Sequence, residues 1–184
     1  MAKTPLALDD FHAFKLSLEQ PFWEPIGRFV FNFGLLERNI DMALIVLLGT
    51  ETEVGEFVLK PIQSIPPKLN MLEALTRMRV GDHDLLNDME VLTKELSDLN
   101  TFRNDLVHGG WYQFFGSKAG KIHGWNKKKI TKTYKQRIFS ATVDDINTMD
   151  AKIKRLGVDL IAVAGRAIDV GRAIERLPSP DKRG

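Results

Sequence analysis

Apolar residues recur at three- and four-residue spacings in three long segments of this chain, residues 26–48, 85–107 and 146–177. That period places the apolar residues on one face of an α-helix, so each segment is predicted to be an amphipathic helix. Pro178 ends the last pattern, because proline cannot continue a helix. The hydrophobic pattern therefore predicts a mainly α-helical fold.

Proline, glycine and capping residues mark where the predicted helices begin and end. Pro25 is suited to the first position of the first long helix, where its missing N–H needs no partner, and Gly49 is suited to its end. Residues 51–60 predict a short helix, and Thr142 with Asp145 resembles a capping box that starts the last helix. The other predicted breaks are Ser64 with Pro66 and Pro67, Gly81 with Asp82, and Gly109 with Gly110.

The periodicity changes from helical to alternating after Gly110. Residues 111–115 and 122–125 favour strands, with a turn at 116–120 between them. Residues 129–139 alternate, with Ile130, Tyr134 and Ile138 predicted on one face and basic residues on the other. This pattern predicts a small antiparallel sheet with one basic face exposed to solvent.

Taken in order, these elements predict an up-and-down bundle of four to six helices. A small β-hairpin or three-stranded insert, at about 111–139, is expected between the fourth helix and the C-terminal helix. The predicted divisions are an N-terminal extension with a short helix at 9–20 (residues 1–24), the helical domain (25–177) and a flexible tail (178–184). Small residues in the last helix permit another helix to approach closely, either within the chain or from a second subunit.

Composition limits the chemistry that the chain can perform. Among its 184 residues there is no cysteine, which excludes a disulfide framework and a thiolate zinc site. No metal or other cofactor is expected, because the histidines show no metal-ligand spacing. The N-terminus lacks a signal-peptide pattern, and charges within residues 29–48 argue against a membrane span. A cytoplasmic location is therefore expected. The scattered histidines are His12, His83, His108 and His123.

A basic segment stands out although the net charge is only +2. Eight basic residues and no acidic residue lie between Gly116 and Phe139. The lysines either contact RNA phosphates or protect an exposed sheet edge from aggregation, and we weigh the two interpretations equally. The nearby aromatic residues more often cover a small sheet than stack on bases. The candidates for RNA binding are Lys127, Lys128, Lys129, Lys132, Lys135 and Arg137.

Residues 103–111 lie where a helix is predicted to end, and they contain an arginine, an amide, a histidine and a double glycine. Histidine exchanges protons near neutral pH, and arginine binds phosphate bidentately. Five residues along an ideal helix correspond to roughly 140° of rotation, so Arg103 and His108 are predicted on different faces. We therefore expect their convergence to need a distorted helix end or a second copy of the segment.

A structural interpretation of the same residues stays open beside the chemical one. His108 suits the C-terminal end of a helix, where a cation interacts favourably with the helix dipole. Arg103 is then expected to pair with Glu37 and to join two helices, while Asn104 satisfies a loop carbonyl. Glu37 lies in an otherwise apolar helix and needs a buried partner, for which Arg103 and His108 are the candidates.

The segment Arg103-Asn104-Asp105-Leu106-Val107-His108 resembles the signature of the HEPN superfamily. These helical-bundle domains carry an arginine, usually followed by a polar residue, and a histidine five to seven positions after the arginine. Glu37, in the segment 33–37, resembles an acidic position in the first long helix of many such domains. The resemblance covers roughly residues 25–177, and the β-rich insert is not part of the minimal bundle.

The resemblance implies a metal-independent endoribonuclease of the toxin–antitoxin or phage-defence type. In that interpretation His108 activates the ribose 2′-hydroxyl or positions the scissile phosphate, and Arg103 stabilises charge on the phosphorane. Asn104 orients one of them or binds phosphate, with Glu37 in support. The resemblance also implies a homodimer in which two motifs face each other, with RNA and an antitoxin or another protein as partners. The alternative is a non-catalytic dimerisation module that binds RNA, a nucleotide or a protein partner.

Overall fold

The computed structural model describes residues 14–15, 20–80, 83–114, 121–130 and 133–175. Within these ranges the predicted mainly helical fold class is confirmed. Among the described helices, none combines the length and the apolar character needed to cross a bilayer. The helices are α1 (Gln20–Leu48), α2 (Thr52–Leu59), α3 (Ile65–Arg79), α4 (His83–His108) and α5 (Val143–Glu175), and the strands are β1 (Phe14–Lys15), β2 (Gly110–Phe114), β3 (Lys121–Ile130) and β4 (Thr133–Thr142).

The chain divides into two compact units, and the boundaries fall within α1, α4 and α5. Unit 1 comprises residues 1–31 and 101–151, and unit 2 comprises residues 32–100 and 152–184. The predicted division of the chain at residues 24/25 and 177/178 stays a prediction.

Unit 1 contains an antiparallel sheet in the strand order β1-β2-β3-β4. In this sheet Gly110 of β2 is paired with Trp125 of β3. The β3–β4 ladder runs from Lys121↔Thr142 to Ile130↔Thr133. Ile122 and its cross-strand partner Ala141 are buried. The helical part of unit 1 packs Phe29 edge-on against Phe102, with ring centroids 5.4 Å apart.

Arg28 joins the first and last helices within unit 1. Its guanidinium donates to Glu24 (3.0 Å) on its own helix and to Asn147 (2.5 Å) on α5. Its Nε also lies 3.3 Å from the carboxylate of Asp150, which is buried. A buried carboxylate requires such a partner, because burial without one is strongly unfavourable.

Unit 2 is built around apolar residues of all five helices and is crossed by ion pairs. Lys68, nearly buried on α3, pairs with Asp41 of α1 at 2.5 Å. Glu95 of α4 accepts from Lys152 (2.9 Å) and Arg155 (2.5 Å) on α5. The largest buried side chains of unit 2 are Leu36, Ile40, Leu44, Leu47, Leu72, Met89, Leu96 and Leu99.

Several predicted helix ends are confirmed at atomic detail. Gly49 follows α1 with φ 68°, and its N–H donates to Ile45 and Val46 carbonyls at 3.1 Å. The capping box is formed: the Thr142 backbone N–H donates to Asp145 Oδ2 (2.8 Å), and the Asp145 N–H donates to Thr142 Oγ1 (3.0 Å). These reciprocal bonds satisfy N–H groups at the start of α5 that have no partner within the helix.

The N-terminal predictions need correction. Helix α1 begins at Gln20, so Pro25 lies inside the helix rather than at its first position. Pro25 is the sixth residue of the helix, beyond the first four N–H groups that lack an intrahelical partner, so its missing N–H costs one backbone hydrogen bond. Phe14 and Lys15 form strand β1, paired with Phe114 and Gln113, so these two residues are not in the predicted helix. The rest of the helix before Gln20, the turn at 81–82 and the tail at 178–184 lie outside the described residues.

The prediction of a single basic face on the sheet is wrong. Residues 129–139 do not form one strand, because β3 ends at Ile130 and β4 begins at Thr133. The cross-strand pairs Lys128↔Lys135 and Lys129↔Tyr134 belong to opposite faces, since neighbouring positions on a strand alternate. Basic positions therefore occupy both faces of this hairpin.

Glu95→Gln is expected to lower the free energy of unfolding at pH 7 by about 0.5–1 kcal/mol. The hydrogen bond from Lys152, with the Arg155 guanidinium nearby, holds the pKa of Glu95 below its usual range. A lowered folded-state pKa stabilises the fold above the unfolded-state pKa of about 4.3, and this contribution disappears as pH falls through the folded-state pKa. Urea unfolding of both proteins at pH 7 and at about pH 3 measures the difference.

The matched control is Glu90→Gln, which removes a carboxylate from the exposed pair with Arg77, where both side chains are more than half accessible. It should change stability less than Glu95→Gln does. An effect of Glu95→Gln that persists unchanged at the lower pH would contradict the account.

Candidate active site

Three of the predicted site residues contact one another on the last turns of α4, within unit 1. They are Arg103, Asn104 and His108. Arg103 and Asn104 are half-buried, whereas His108 is exposed. The N–H of Gly109 donates to the carbonyl of Asp105 at 3.1 Å, which continues the regular i to i−4 pattern to the end of the helix. The helix is therefore intact where these side chains meet.

One guanidinium nitrogen joins the other two side chains. Arg103 Nη1 lies 3.1 Å from Asn104 Oδ1 and 3.2 Å from His108 Nε2. The expectation that Arg103 and His108 need a distorted helix or a second subunit in order to meet is wrong. The flexible arginine side chain is long enough to run along the last turn and span the rotation that separates the two positions.

The contact between Arg103 and His108 fixes the proton position on the imidazole. A guanidinium has only N–H donors, so His108 Nε2 must accept with its lone pair. In this hydrogen bond the imidazole proton is carried on Nδ1. His108, the candidate base, therefore has a defined tautomer in this contact. Its Nε2 faces the guanidinium of Arg103.

A close steric contact, rather than a left-handed backbone, requires glycine after His108. The φ angle of Gly109 lies outside the positive region, so a left-handed backbone does not require glycine at this position. A Cβ at this position would lie 2.5 Å from Cζ of Phe139 on β4 and would also clash with the Asp105 carbonyl. The chain therefore passes tightly between its own last helical turn and the sheet.

Sequence reasoning missed two residues that shape this site. Phe139 packs against the helix end at Gly109, and it lies thirty residues away in the sequence, so no local sequence signal could have indicated this contact. Asp105 is the other, with 6% exposure inside the motif segment. An acidic residue between a candidate arginine and a candidate histidine is the signal that could have identified it.

The remaining predicted site residues lie on other elements of the chain. Glu37 is half-buried on α1 in unit 2, and its pairing with Arg103 or His108 stays a prediction. The RNA-binding candidates Lys127, Lys128, Lys129, Lys135 and Arg137 lie on β3 and β4, and Lys132 lies outside the described residues.

Within the part of the chain that the structure describes, no group of three or more histidine and acidic side chains is placed to hold a metal ion. Comparisons with protein-family models, with curated proteins and with solved structures found no match to this chain. The site must therefore be interpreted from its own chemistry.

Gly109→Ala is expected to lower the free energy of unfolding by about 1–3 kcal/mol, because the added methyl group overlaps Phe139 and the Asp105 carbonyl. Chemical denaturation measures the change. The matched control is Gly27→Ala, where a Cβ meets nothing within 4 Å on an exposed helical position. That variant should be more stable by about 0.5–1 kcal/mol. Equal behaviour of the two variants would contradict the close contact.

His108 is expected to populate the Nδ1-protonated neutral tautomer above pH 7, because Arg103 donates to Nε2. Long-range ¹⁵N–¹H correlation spectra of the histidine ring report the tautomer directly. In Arg103→Ala the population should shift towards the Nε2-protonated form. Dominance of the Nε2-protonated form in the wild-type protein would show that the Arg103–His108 contact does not persist in solution.

Proposed function

We propose that this chain is a HEPN-like, metal-independent endoribonuclease that acts as a toxin or in phage defence. The observation that carries the proposal is the contact of Arg103 Nη1 with His108 Nε2 (3.2 Å) and Asn104 Oδ1 (3.1 Å). It combines a proton-exchanging group, a permanent cation and an amide at one exposed helix end. Those are the groups that cleavage of an RNA phosphodiester by its own 2′-hydroxyl requires.

In the proposed reaction the RNA phosphate competes with His108 for the guanidinium of Arg103. A bidentate arginine–phosphate contact is strong, and forming it releases the lone pair of His108 Nε2. That nitrogen then accepts the proton of the ribose 2′-hydroxyl, whose oxygen attacks phosphorus. The bond from phosphorus to the 5′-oxygen breaks, and the leaving oxygen takes up a proton from solvent water. The products are a 2′,3′-cyclic phosphate and a free 5′-hydroxyl.

Arg103 and Asn104 stabilise the phosphorane during this reaction. The guanidinium neutralises the charge that grows on the non-bridging oxygens, and the amide of Asn104 orients the guanidinium or donates to the phosphate. The proposed cleft lies at a homodimer interface, and Glu37 supports it. An antitoxin or another protein is a further proposed partner, and the proposed location is the cytoplasm.

The proposed architecture is a HEPN-like helical bundle with a β insert at about residues 111–139. Support comes from the long helices α1, α4 and α5 and from the position of the motif at the end of α4. The strands β2 to β4 between α4 and α5 support the insert.

A non-catalytic module that binds a protein partner is the second candidate function. An apolar groove of about 510 Å³ in unit 2 favours it. The groove is lined in part by Leu35, Val158 and Ile161, whose exposures are 50%, 71% and 44%. Exposed apolar patches of this kind often mark interaction surfaces. This candidate predicts binding without RNA cleavage.

Purified protein treated with EDTA is expected to cleave RNA, and His108→Ala should lower the rate by at least about 100-fold, because the proton acceptor is lost. The matched control is His83→Ala, which removes an exposed histidine from the first turn of the same helix. It should leave the rate unchanged. Gel analysis of end-labelled RNA measures the rates, and circular dichroism verifies the fold of both variants.

Absence of cleavage by the folded wild-type protein would favour the non-catalytic module. Equal rates for the wild-type protein and His108→Ala would exclude His108 as the base. Cleavage products with a 5′-phosphate would contradict the proposed chemistry, because attack by the 2′-hydroxyl leaves a 5′-hydroxyl.

A further inference from the structure

A second cavity in unit 2 is lined by charged residues, unlike the apolar groove beside Leu35. Its volume is about 680 Å³, within the range of about 300–1,000 Å³ that is typical of ligand pockets. The walls come from α1, α2, the segment after α2 and the first turn of α3. We call it the α1–α3 cavity. The charged residues that line it are Arg38, Asp41, Glu53, Glu56, Lys60 and Lys68.

The wall that α2 forms is fixed by a close contact with α1. Gly55 of α2 is buried, and a Cβ at this position would lie 2.5 Å from Cγ1 of Ile45 on α1. Glycine therefore allows the two helices to approach closely. Ile45 also lines the cavity. The cavity is thus bounded by tightly packed helices, which gives it a defined shape before any ligand binds.

A lysine that is nine-tenths buried lines this cavity. The side chain of Lys68 is 10% exposed, and its Nζ lies 2.5 Å from Oδ1 of Asp41. An ammonium group has three N–H donors, and a contact with one carboxylate oxygen does not use all of them. No other residue in the described part of the chain accepts from Lys68. Because buried donors without an acceptor are costly, Lys68 favours a ligand that supplies one.

The balance of charge in the cavity decides which kind of ligand fits. Three basic and three acidic residues line it, so their formal charges cancel. A polyanion such as phosphate would place unbalanced negative charge beside Asp41, Glu53 and Glu56, which is unfavourable in a partly buried site. A zwitterion adds no net charge. Its carboxylate accepts from Lys68 and Arg38, while its ammonium group donates to the acidic side chains.

The cavity also offers apolar surface to a ligand. Met42 and Ile45 of α1 line it, and so does Phe57 of α2, which is 78% exposed. An exposed phenylalanine contributes little to the stability of the fold, but it gains buried apolar area when a ligand covers it. A ligand with apolar side chains between its charged groups therefore matches the lining.

We propose that the α1–α3 cavity binds a short peptide with free termini and apolar side chains. Its terminal carboxylate binds Lys68 and Arg38, its terminal ammonium group binds the acidic side chains of α2, and its apolar side chains cover Phe57. Both termini lie within the cavity, which limits the ligand to a few residues. The cavity shares no residue with the pair Arg103 and His108, so the proposal goes beyond the proposed ribonuclease function and does not depend on it.

The probe is trileucine, and titration calorimetry with the full-length protein measures its affinity. N-acetyl-trileucine and trileucine amide each lack one terminal charge. Each should bind at least about tenfold more weakly than trileucine, because a charged group of the cavity then loses its ionised partner. Inorganic phosphate should also bind more weakly than trileucine, since it leaves the charge of the cavity unbalanced.

Two matched pairs of variants at exposed positions test the lining without disturbing the core. Arg38→Gln should weaken trileucine binding about threefold, whereas Lys94→Gln, on α4 and outside the cavity, should not. Phe57→Ala should weaken it at least about fivefold, whereas Met78→Ala, on α3 and 82% exposed, should not. The Tm of each cavity variant should stay close to that of the wild-type protein.

The double variant Asp41→Asn/Lys68→Met tests the buried pair itself. It removes both charges together, so no uncompensated buried charge destabilises the fold, and circular dichroism verifies folding. Affinity for trileucine should fall at least about tenfold. Affinity for trileucine amide should change less, because that probe has no carboxylate for Lys68 to bind.

Three outcomes would each overturn the proposal. They are the absence of saturable trileucine binding, equal affinity for trileucine and both capped derivatives, and tighter binding of inorganic phosphate than of trileucine. If the double variant does not fold, the capped derivatives and Arg38→Gln still decide. None of these outcomes bears on whether His108 supports RNA cleavage.

Discussion

The tight passage of the chain at Gly109 is the constraint on which the candidate site depends. The space that a Cβ would need there is occupied by the ring of Phe139 and by the carbonyl of Asp105. Because the chain is held between the helix end and strand β4, α4 stops at His108 and β2 begins at Gly110. A close-packed junction of this kind resists displacement, since interiors have little free volume to relax into. His108 is thereby held in place as the final residue of a regular helix.

Arg103 uses that fixed position to control the imidazole. The guanidinium can only donate, so in this contact Nε2 of His108 is the acceptor. A phosphate that draws the guanidinium away converts the same nitrogen from a hydrogen-bond acceptor into an available base. The proposed chemistry therefore needs no new group to enter the site, only an exchange of partners by Arg103.

Local sequence signals predicted much of the fold, and failed where the outcome depends on distant parts of the chain. The capping box of Thr142 with Asp145 and the end of α1 at Gly49 follow from residues within one turn of each other. The placement of basic positions on both faces of the β3–β4 hairpin did not follow, because the alternation continues across the reversal after Ile130 and conceals it. The contact between Arg103 and His108 was missed because rotation about an ideal helix ignores the reach of a long side chain. The role of Gly109 depends on Phe139, thirty residues later, which no local pattern reveals.

In the proposed reaction, Arg103 and His108 act as a pair within one chain. RNA cleavage by a purified complex that contains one Arg103→Ala chain and one His108→Ala chain, separated from the parent species by two affinity tags, tests this pairing directly. If the pair works within a chain, neither chain has a complete pair, and the complex should be as inactive as each variant alone. Recovery of a substantial fraction of wild-type cleavage in the mixed complex would contradict the account, because it would show that the two residues are contributed by different subunits.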